Sequence, residues 1–117
     1  MDAYYIVNDP NDPIAGKATE IRKQEYLFWR EVKPDLEDDF DISCHTLSTR
    51  TGLSERRTRD ITMALYRLAE LPLTKALQET YFFLDFSRLI TIDAVLSKLG
   101  DIPTEILERI DQELARY

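Results

Sequence analysis

The chain contains very few of the residues on which most catalytic and metal-binding sites depend. Its 117 residues include one cysteine, one histidine and three glycines. Cys44 and His45 are neighbours whose side chains would point about 100° apart on a helix, and no further cysteine or histidine can complete a metal site. Gly16, Gly52 and Gly100 stand singly, so no glycine-rich phosphate loop is present. We therefore expect no enzymatic activity, no cofactor and no bound metal.

Two further absences concern location. No stretch approaches the ~18 consecutive apolar residues of a membrane span. The first residues carry no positive charge and no apolar run follows them, so a signal peptide is not predicted. A lone cysteine cannot form an intramolecular disulfide, which fits a reducing compartment. These features predict a soluble cytoplasmic protein.

Basic residues are fewer than acidic ones. The chain has 15 basic and 22 acidic residues, so its net charge is −7. DNA-binding domains usually carry a basic surface, so this balance weighs against DNA. The charge is unevenly distributed. Residues 31–41 hold six acids and one base, a local charge of −5, whereas residues 47–70 hold five arginines and three acids, a local charge of +2. Nucleic acid is therefore possible only near residues 47–70.

Residues 43–71 have the spacing of a helix-turn-helix. Ser43 can cap a short helix over residues 44–51. Gly52 follows where the chain must adopt the left-handed backbone conformation that glycine tolerates without cost. Ser54 is then expected to cap a second helix that ends at Leu71 and Pro72. This arrangement is typical of both DNA readers and purely structural helix corners.

The second helix of this motif has an apolar face and a basic N-terminal end. The apolar face consists of Ile61, Ala64, Leu65, Leu68 and Leu71. The candidate DNA-binding residues, which are expected to lie off this face, are Arg56, Arg57 and Arg59. Thr51 and Thr58 stand where the motif usually has apolar residues. Either the angle between the helices differs from that of a DNA reader, or the threonine methyl groups suffice.

Helical spacing continues through the rest of the chain. Asp12 and Pro13 begin a helix that ends before Pro34, with Ile14, Ala18, Ile21, Phe28 and Val32 near one face. Shorter helices are expected over residues 74–80, 86–99 and from Pro103 onward. Asp93 is expected to pair with Arg88 or Arg67. The sequence thus predicts an all-α single domain of five to six helices over residues 13–117, preceded by a turn or mobile arm over residues 1–12.

Two apolar surfaces predict an interface with another chain. Residues 26–29 are apolar in four successive helical directions, so this helix is either the central helix of the fold or half of a subunit interface. The last helix has an apolar stripe with no following element to cover it. The candidate interface residues are Tyr26, Trp29, Leu114 and Tyr117. We expect a homodimer or docking onto another chain.

Four short patterns resemble domain-of-unknown-function family 222, and the resemblance covers roughly residues 40–117. They are Leu47-x-x-Arg50-Thr51-Gly52-Leu53-Ser54, Ala64-x-x-Arg67-Leu68-x-x-Leu71-Pro72, Leu89-x-x-Ile92-Asp93-x-x-Leu96, and Pro103 with Ile110-Asp111-x-x-Leu114. The resemblance implies an all-helical domain of the kind that precedes a C-terminal HNH endonuclease module. It implies no catalytic site here, because an HNH module needs at least two histidines.

Two functions remain open. In the first, the chain is the non-catalytic, DNA-positioning part of an HNH-nuclease-like protein and binds DNA weakly through the second helix of the motif. In the second, it is a protein–protein interaction or oligomerisation module without nucleic-acid binding. The arginine cluster and the family resemblance favour the first function, whereas the net charge favours the second.

Overall fold

The computed structural model describes residues 11–33 and 39–116, which form six helices and no strand. In chain order the helices are α1 (Pro13–Val32), α2 (Phe40–Thr51), α3 (Glu55–Ala69), α4 (Pro72–Tyr81), α5 (Phe86–Lys98) and α6 (Thr104–Ala115). The predicted all-α fold with five to six helices is confirmed. Of the predicted N-terminal arm, residues 1–12, only the last two lie among the described residues. None of the described helices is long and apolar enough to cross a membrane.

Most helix ends lie where polar residues and glycines predict them. In four helices the N-cap side chain accepts a backbone N–H bond. Three of these pairs are Asp12 with Ile14 (2.9 Å), Ser54 with Arg57 (3.0 Å) and Asp85 with Arg88 (2.9 Å). Gly52, after α2, has the predicted left-handed backbone with φ of 77°. Because these ends depend on local chemistry, sequence patterns locate them well.

The start of α2 differs from the prediction. The helix begins at Phe40 with Asp39 as N-cap, not after Ser43. The Asp39 carboxylate accepts a hydrogen bond from the Ile42 backbone N–H at 3.4 Å. Aspartate and serine are both favourable N-caps, and capping at the earlier residue adds a full turn to the helix.

Helix α3 is the central helix of the fold, because it contacts α1, α2, α4 and α5. Its buried residues are Thr58, Ile61, Thr62, Ala64, Leu65 and Leu68. In α1, by contrast, only Tyr26 and Trp29 are buried. The interpretation of α1 as the central helix is therefore wrong, since a central helix requires neighbours on most of its sides.

The buried threonines of α3 are accommodated by local hydrogen bonds. The Thr58 hydroxyl donates to the Ser54 carbonyl at 3.0 Å, and the Thr62 hydroxyl donates to the Thr58 carbonyl at 2.9 Å. Each hydroxyl is satisfied within its own helix, so burying it leaves no unpaired polar atom. At position 58 a threonine therefore replaces the usual apolar residue of the motif without an unsatisfied hydroxyl.

One predicted ion pair joins α3 to α5. The Arg67 guanidinium donates from Nε to Asp93 Oδ1 at 3.1 Å, which confirms one of the two expected arginine partners. The same arginine also contacts Glu70 Oε2 at 2.8 Å through Nη1. Both members of the Arg67–Asp93 pair are largely shielded from solvent, so this contact orients α5 on α3.

A buried carboxylate joins α6 to the start of α4. Asp111 is only 3% exposed. Its carboxylate accepts hydrogen bonds from the Leu73 N–H at 2.9 Å, the Thr74 N–H at 2.8 Å and the Thr74 hydroxyl at 2.7 Å. No residue adjacent in sequence caps α4 with its side chain. Asp111 therefore supplies the missing cap from another helix, where its negative charge is favoured by the helix dipole.

Two side chains hold the connection between α4 and α5. The Gln78 amide donates to the Leu84 carbonyl and accepts from the Leu84 N–H, each at 2.9 Å. Arg22 of α1 donates from Nε to the Phe82 carbonyl at 2.7 Å. Phe82 has a positive φ of 51°, which is unfavourable for a side chain of this size. These contacts therefore hold in place a connection in which the backbone conformation of Phe82 costs free energy.

We expect Asp111→Ala to lower the free energy of unfolding by about 3 kcal/mol, because three donors at the start of α4 would lose a charged acceptor. Urea unfolding followed by circular dichroism measures this loss. Glu113→Ala on the same helix is the matched control, since that carboxylate is exposed and its change should stay within about 0.5 kcal/mol. Equal effects of the two substitutions would contradict the capping role of Asp111.

Candidate functional site

The helix-turn-helix corner consists of α2, Gly52 and the start of α3, and one of its candidate arginines is engaged within the chain. Arg59 Nη1 lies 2.8 Å from Asp41 Oδ1. Its guanidinium carbon also lies 5.5 Å from the centre of the Phe40 ring. The hydrogen bond with Asp41 raises the pKa of Arg59 above its usual value. Binding a phosphate through Arg59 would therefore require breaking an existing ion pair.

The other two candidate arginines point in different directions. Arg57 precedes Ile61 by four residues and Ala64 by seven, so it lies on the same side of α3 as the apolar core. Its side chain is half-buried, contrary to the expectation that it lies off this face. Arg56 is exposed and has no ion-pair partner among the described residues. The three arginines thus do not form one basic surface.

The corner as a whole is electrically neutral. Residues 39–60 contain four arginines and four acidic residues. His45 contacts Glu55 through its Nδ1 atom, which joins α2 to α3 across the turn. Helix α3 also has α2 and α5 packed beside it. These features are typical of a structural corner more than of a helix inserted into a DNA groove.

The predicted interface residues divide between the core and the surface. Tyr26 and Trp29 are 2% and 3% exposed and pack in the same cluster as Ile61 and Leu65. The prediction that they contact another chain is therefore wrong, because they lie three residues apart on the α1 face that meets α3. Leu114 is half-buried, and Tyr117 lies outside the described residues.

Beside its core-facing side, α1 carries an apolar stripe whose residues the sequence spacing places near one face of the helix. Ile14 is 77% exposed, Ile21 is 66% exposed and Phe28 is 46% exposed. These residues recur every seven positions, so they line one side of the helix. We call them the α1 stripe. One sequence feature indicates this stripe. Helix α1 has apolar residues on two sides, and only one of these sides packs on the core.

A second open apolar surface lies on α6. Ile106, Ile110 and Leu114 line a shallow hollow together with Arg109 and Glu113. All five residues belong to one helix. The hollow is therefore an exposed helix side and not a cleft between elements. It is too open to enclose a small ligand.

No family model, curated protein or solved structure matches the chain. Among the described residues, no three histidine, cysteine or acidic side chains cluster in a way that could hold a metal ion. Cys44 is buried, and burial raises the pKa of its thiol. A buried thiol with a raised pKa is a poor nucleophile.

Polar contacts fix the side of α1 that faces the core. Tyr26 donates its hydroxyl to Glu79 Oε1 at 3.4 Å, and Arg30 contacts Glu79 Oε2 at 2.7 Å. Burial, followed by the neighbouring Glu79 charge, raises the pKa of Tyr26 to about 12. These contacts attach α1 to α4 and leave the α1 stripe facing away from the core.

The raised pKa of Tyr26 predicts a loss of stability at alkaline pH. The folded state holds this proton to about pH 12, whereas an unfolded tyrosine releases it near pH 10. The contribution of the neutral Tyr26 hydroxyl to the free energy of unfolding is complete below about pH 10. It is lost between about pH 10 and 12. Absorbance at tyrosinate wavelengths should show a step near pH 12 that is absent from Tyr26→Phe. A Tyr26 step at the ordinary tyrosine pKa would contradict the buried placement.

Proposed function

We propose that the chain is a non-catalytic oligomerisation module, in which two copies associate through the α1 stripe. The single observation that carries this proposal is the exposure of Ile14, Ile21 and Phe28 at seven-residue spacing on a helix whose other side already packs on the core. Exposed apolar residues scattered singly need no explanation, but an aligned stripe is typical of a contact surface.

The shape of the stripe favours another helix as its partner. One apolar residue in every seven gives a stripe narrower than the two-in-seven seam of a coiled coil, whereas packing on a broad core requires a wider apolar face. The stripe spans most of the 20-residue helix α1. In the setting that the resemblance to family 222 implies, such a module would join two copies of an HNH-nuclease-like protein.

We expect the wild-type chain to associate reversibly with increasing concentration, and Ile21→Lys to remain monomeric. Ile21 is 66% exposed, so lysine should change the free energy of unfolding by less than about 0.5 kcal/mol while placing a charge in the contact. Sedimentation equilibrium measures both association constants.

The matched control is Val95→Lys on α5, which replaces a 53% exposed apolar residue away from the α1 stripe. This variant should associate like the wild type. A wild-type chain that is monomeric at all concentrations would overturn the proposal. If Ile21→Lys also lowered the melting temperature of that monomer, the stripe would be covered by the chain itself.

DNA contact at the corner is a second candidate, favoured by one observation. Arg56 is exposed at the first turn of α3 and has no ion-pair partner among the described residues, whereas Arg59 is paired with Asp41. The N-terminal turn of the second helix is where helix-turn-helix proteins contact DNA. In a neutral corner such contact would be weak and strongly dependent on salt.

This second candidate predicts different effects for the two arginines. Arg56→Ala should weaken binding to duplex DNA at low salt and reduce the salt slope by about 0.9, the value for one lost phosphate contact. Arg59→Ala is the comparison variant. It should change DNA binding less than Arg56→Ala, because the Arg59 side chain is already paired with Asp41. Titration of labelled duplex measures both. Absent binding, or equal binding by wild type and Arg56→Ala, would remove DNA from consideration.

A further inference from the structure

We propose that a groove between the start of α4 and α6 binds a basic segment of another protein, in which an arginine or lysine stands beside an apolar residue. The groove has a volume of about 340 Å³, and we call it the α4–α6 groove. None of its lining residues belongs to α1. Binding at this groove therefore does not depend on self-association through the α1 stripe.

Part of the lining of the α4–α6 groove is apolar. Pro72 and Leu73 come from the start of α4, and Leu107 comes from α6. Leu73 is 49% exposed, and Pro72 is exposed as well. An apolar side chain that enters the groove contacts two helices at once, so it removes more apolar surface from water than it would on a single helix side. The hollow on α6, by contrast, is lined by one helix only.

The charged residues that line the groove are all acidic, namely Glu70, Glu108 and Asp111. Glu108 has no ion-pair partner among the described residues. Glu70 contacts Arg67 at 2.8 Å, but the same guanidinium contacts Asp93 at 3.1 Å. One positive charge therefore serves two carboxylates, and the groove keeps an excess of negative charge. A cleft lined by one sign of charge attracts ligands of the opposite sign.

The buried carboxylate of Asp111 adds to this excess. Its donors are the Leu73 N–H, the Thr74 N–H and the Thr74 hydroxyl, all of which are neutral. The dipole of α4 offsets part of the charge, but no basic side chain of the described residues pairs with Asp111. A carboxylate can accept about four hydrogen bonds, so these three donors leave one acceptor position open.

These features favour a cation that is carried on an apolar stem. Among the described residues, no group of three acidic, histidine or cysteine side chains could bind a metal ion. Most lining residues are exposed, so the groove is too open to enclose a small molecule. Arginine and lysine carry their charge at the end of an apolar chain, which matches acidic residues beside Leu73 and Leu107. The net charge of −7 also attracts basic partners.

Peptide titration followed by nitrogen–proton correlation spectra tests this binding. The probes are short peptides that contain two arginines and two leucines at different spacings. The backbone signals of Leu73, Leu107 and Glu108 should shift with at least one of these peptides, most strongly at low salt. Peptides with glutamate in place of arginine should leave these signals unchanged, because their charge has the same sign as the groove.

Substitutions in the groove separate specific binding from general attraction to an acidic protein. Glu108→Gln removes one unpaired charge and should weaken binding of the tightest peptide about threefold. Leu73→Ser should also weaken it, because an apolar contact is lost. The matched control is Glu113→Gln, the same change on the same helix, since Glu113 lines the hollow on α6 and not the groove. This control should bind the peptide like the wild type.

The Ile21→Lys variant should also bind the peptide like the wild type, because α1 does not line the groove. A monomeric wild type that binds the peptide would overturn the oligomerisation function alone. Docking at the groove is overturned if no peptide shifts the groove signals, or if Glu108→Gln and Glu113→Gln weaken binding equally. It is also overturned if spermidine shifts the same signals at the same concentration, which would indicate a site for free cations. Weaker self-association of Glu108→Lys would overturn it too, because the occupant would then be a second copy.

Discussion

The fold depends on the burial of one side of α3. Ile61, Ala64 and Leu68 recur at three- and four-residue spacing, and the helices around α3 pack against them. Burying an aliphatic side chain stabilises the folded state by roughly 1.5–3 kcal/mol, more than any single surface contact in the molecule. The positions of α1, α2 and α5 follow from this one face.

Apolar packing alone would leave helix ends and loop backbone without hydrogen bonds. Asp111 supplies these hydrogen bonds at the start of α4, and Gln78 supplies them in the connection that follows. Such buried polar residues hold the outer helices in place because leaving their partners unpaired would be costly.

The candidate site was harder to predict than the fold, for reasons that individual residues illustrate. The arginine cluster predicts a DNA contact for Arg59, yet Asp41 lies in another helix and its pairing with Arg59 depends on how α2 packs on α3. The apolar run in α1 predicts a partner contact for Trp29, which is buried instead. Sequence spacing shows which residues share a helix side. It does not show which of two apolar sides faces the core, as the exposure of Ile21 makes clear.

The sequence by itself determined the helices and most of their ends, since Asp12, Ser54 and Gly52 act through backbone groups a few residues away. It also determined the buried side of α3, because no other side of that helix is apolar. The tertiary structure alone decided which helix is central, where Asp111 and Gln78 bond, and that the α1 stripe faces outward. These outcomes depend on contacts between residues distant in the chain, and local periodicity carries no information about such contacts.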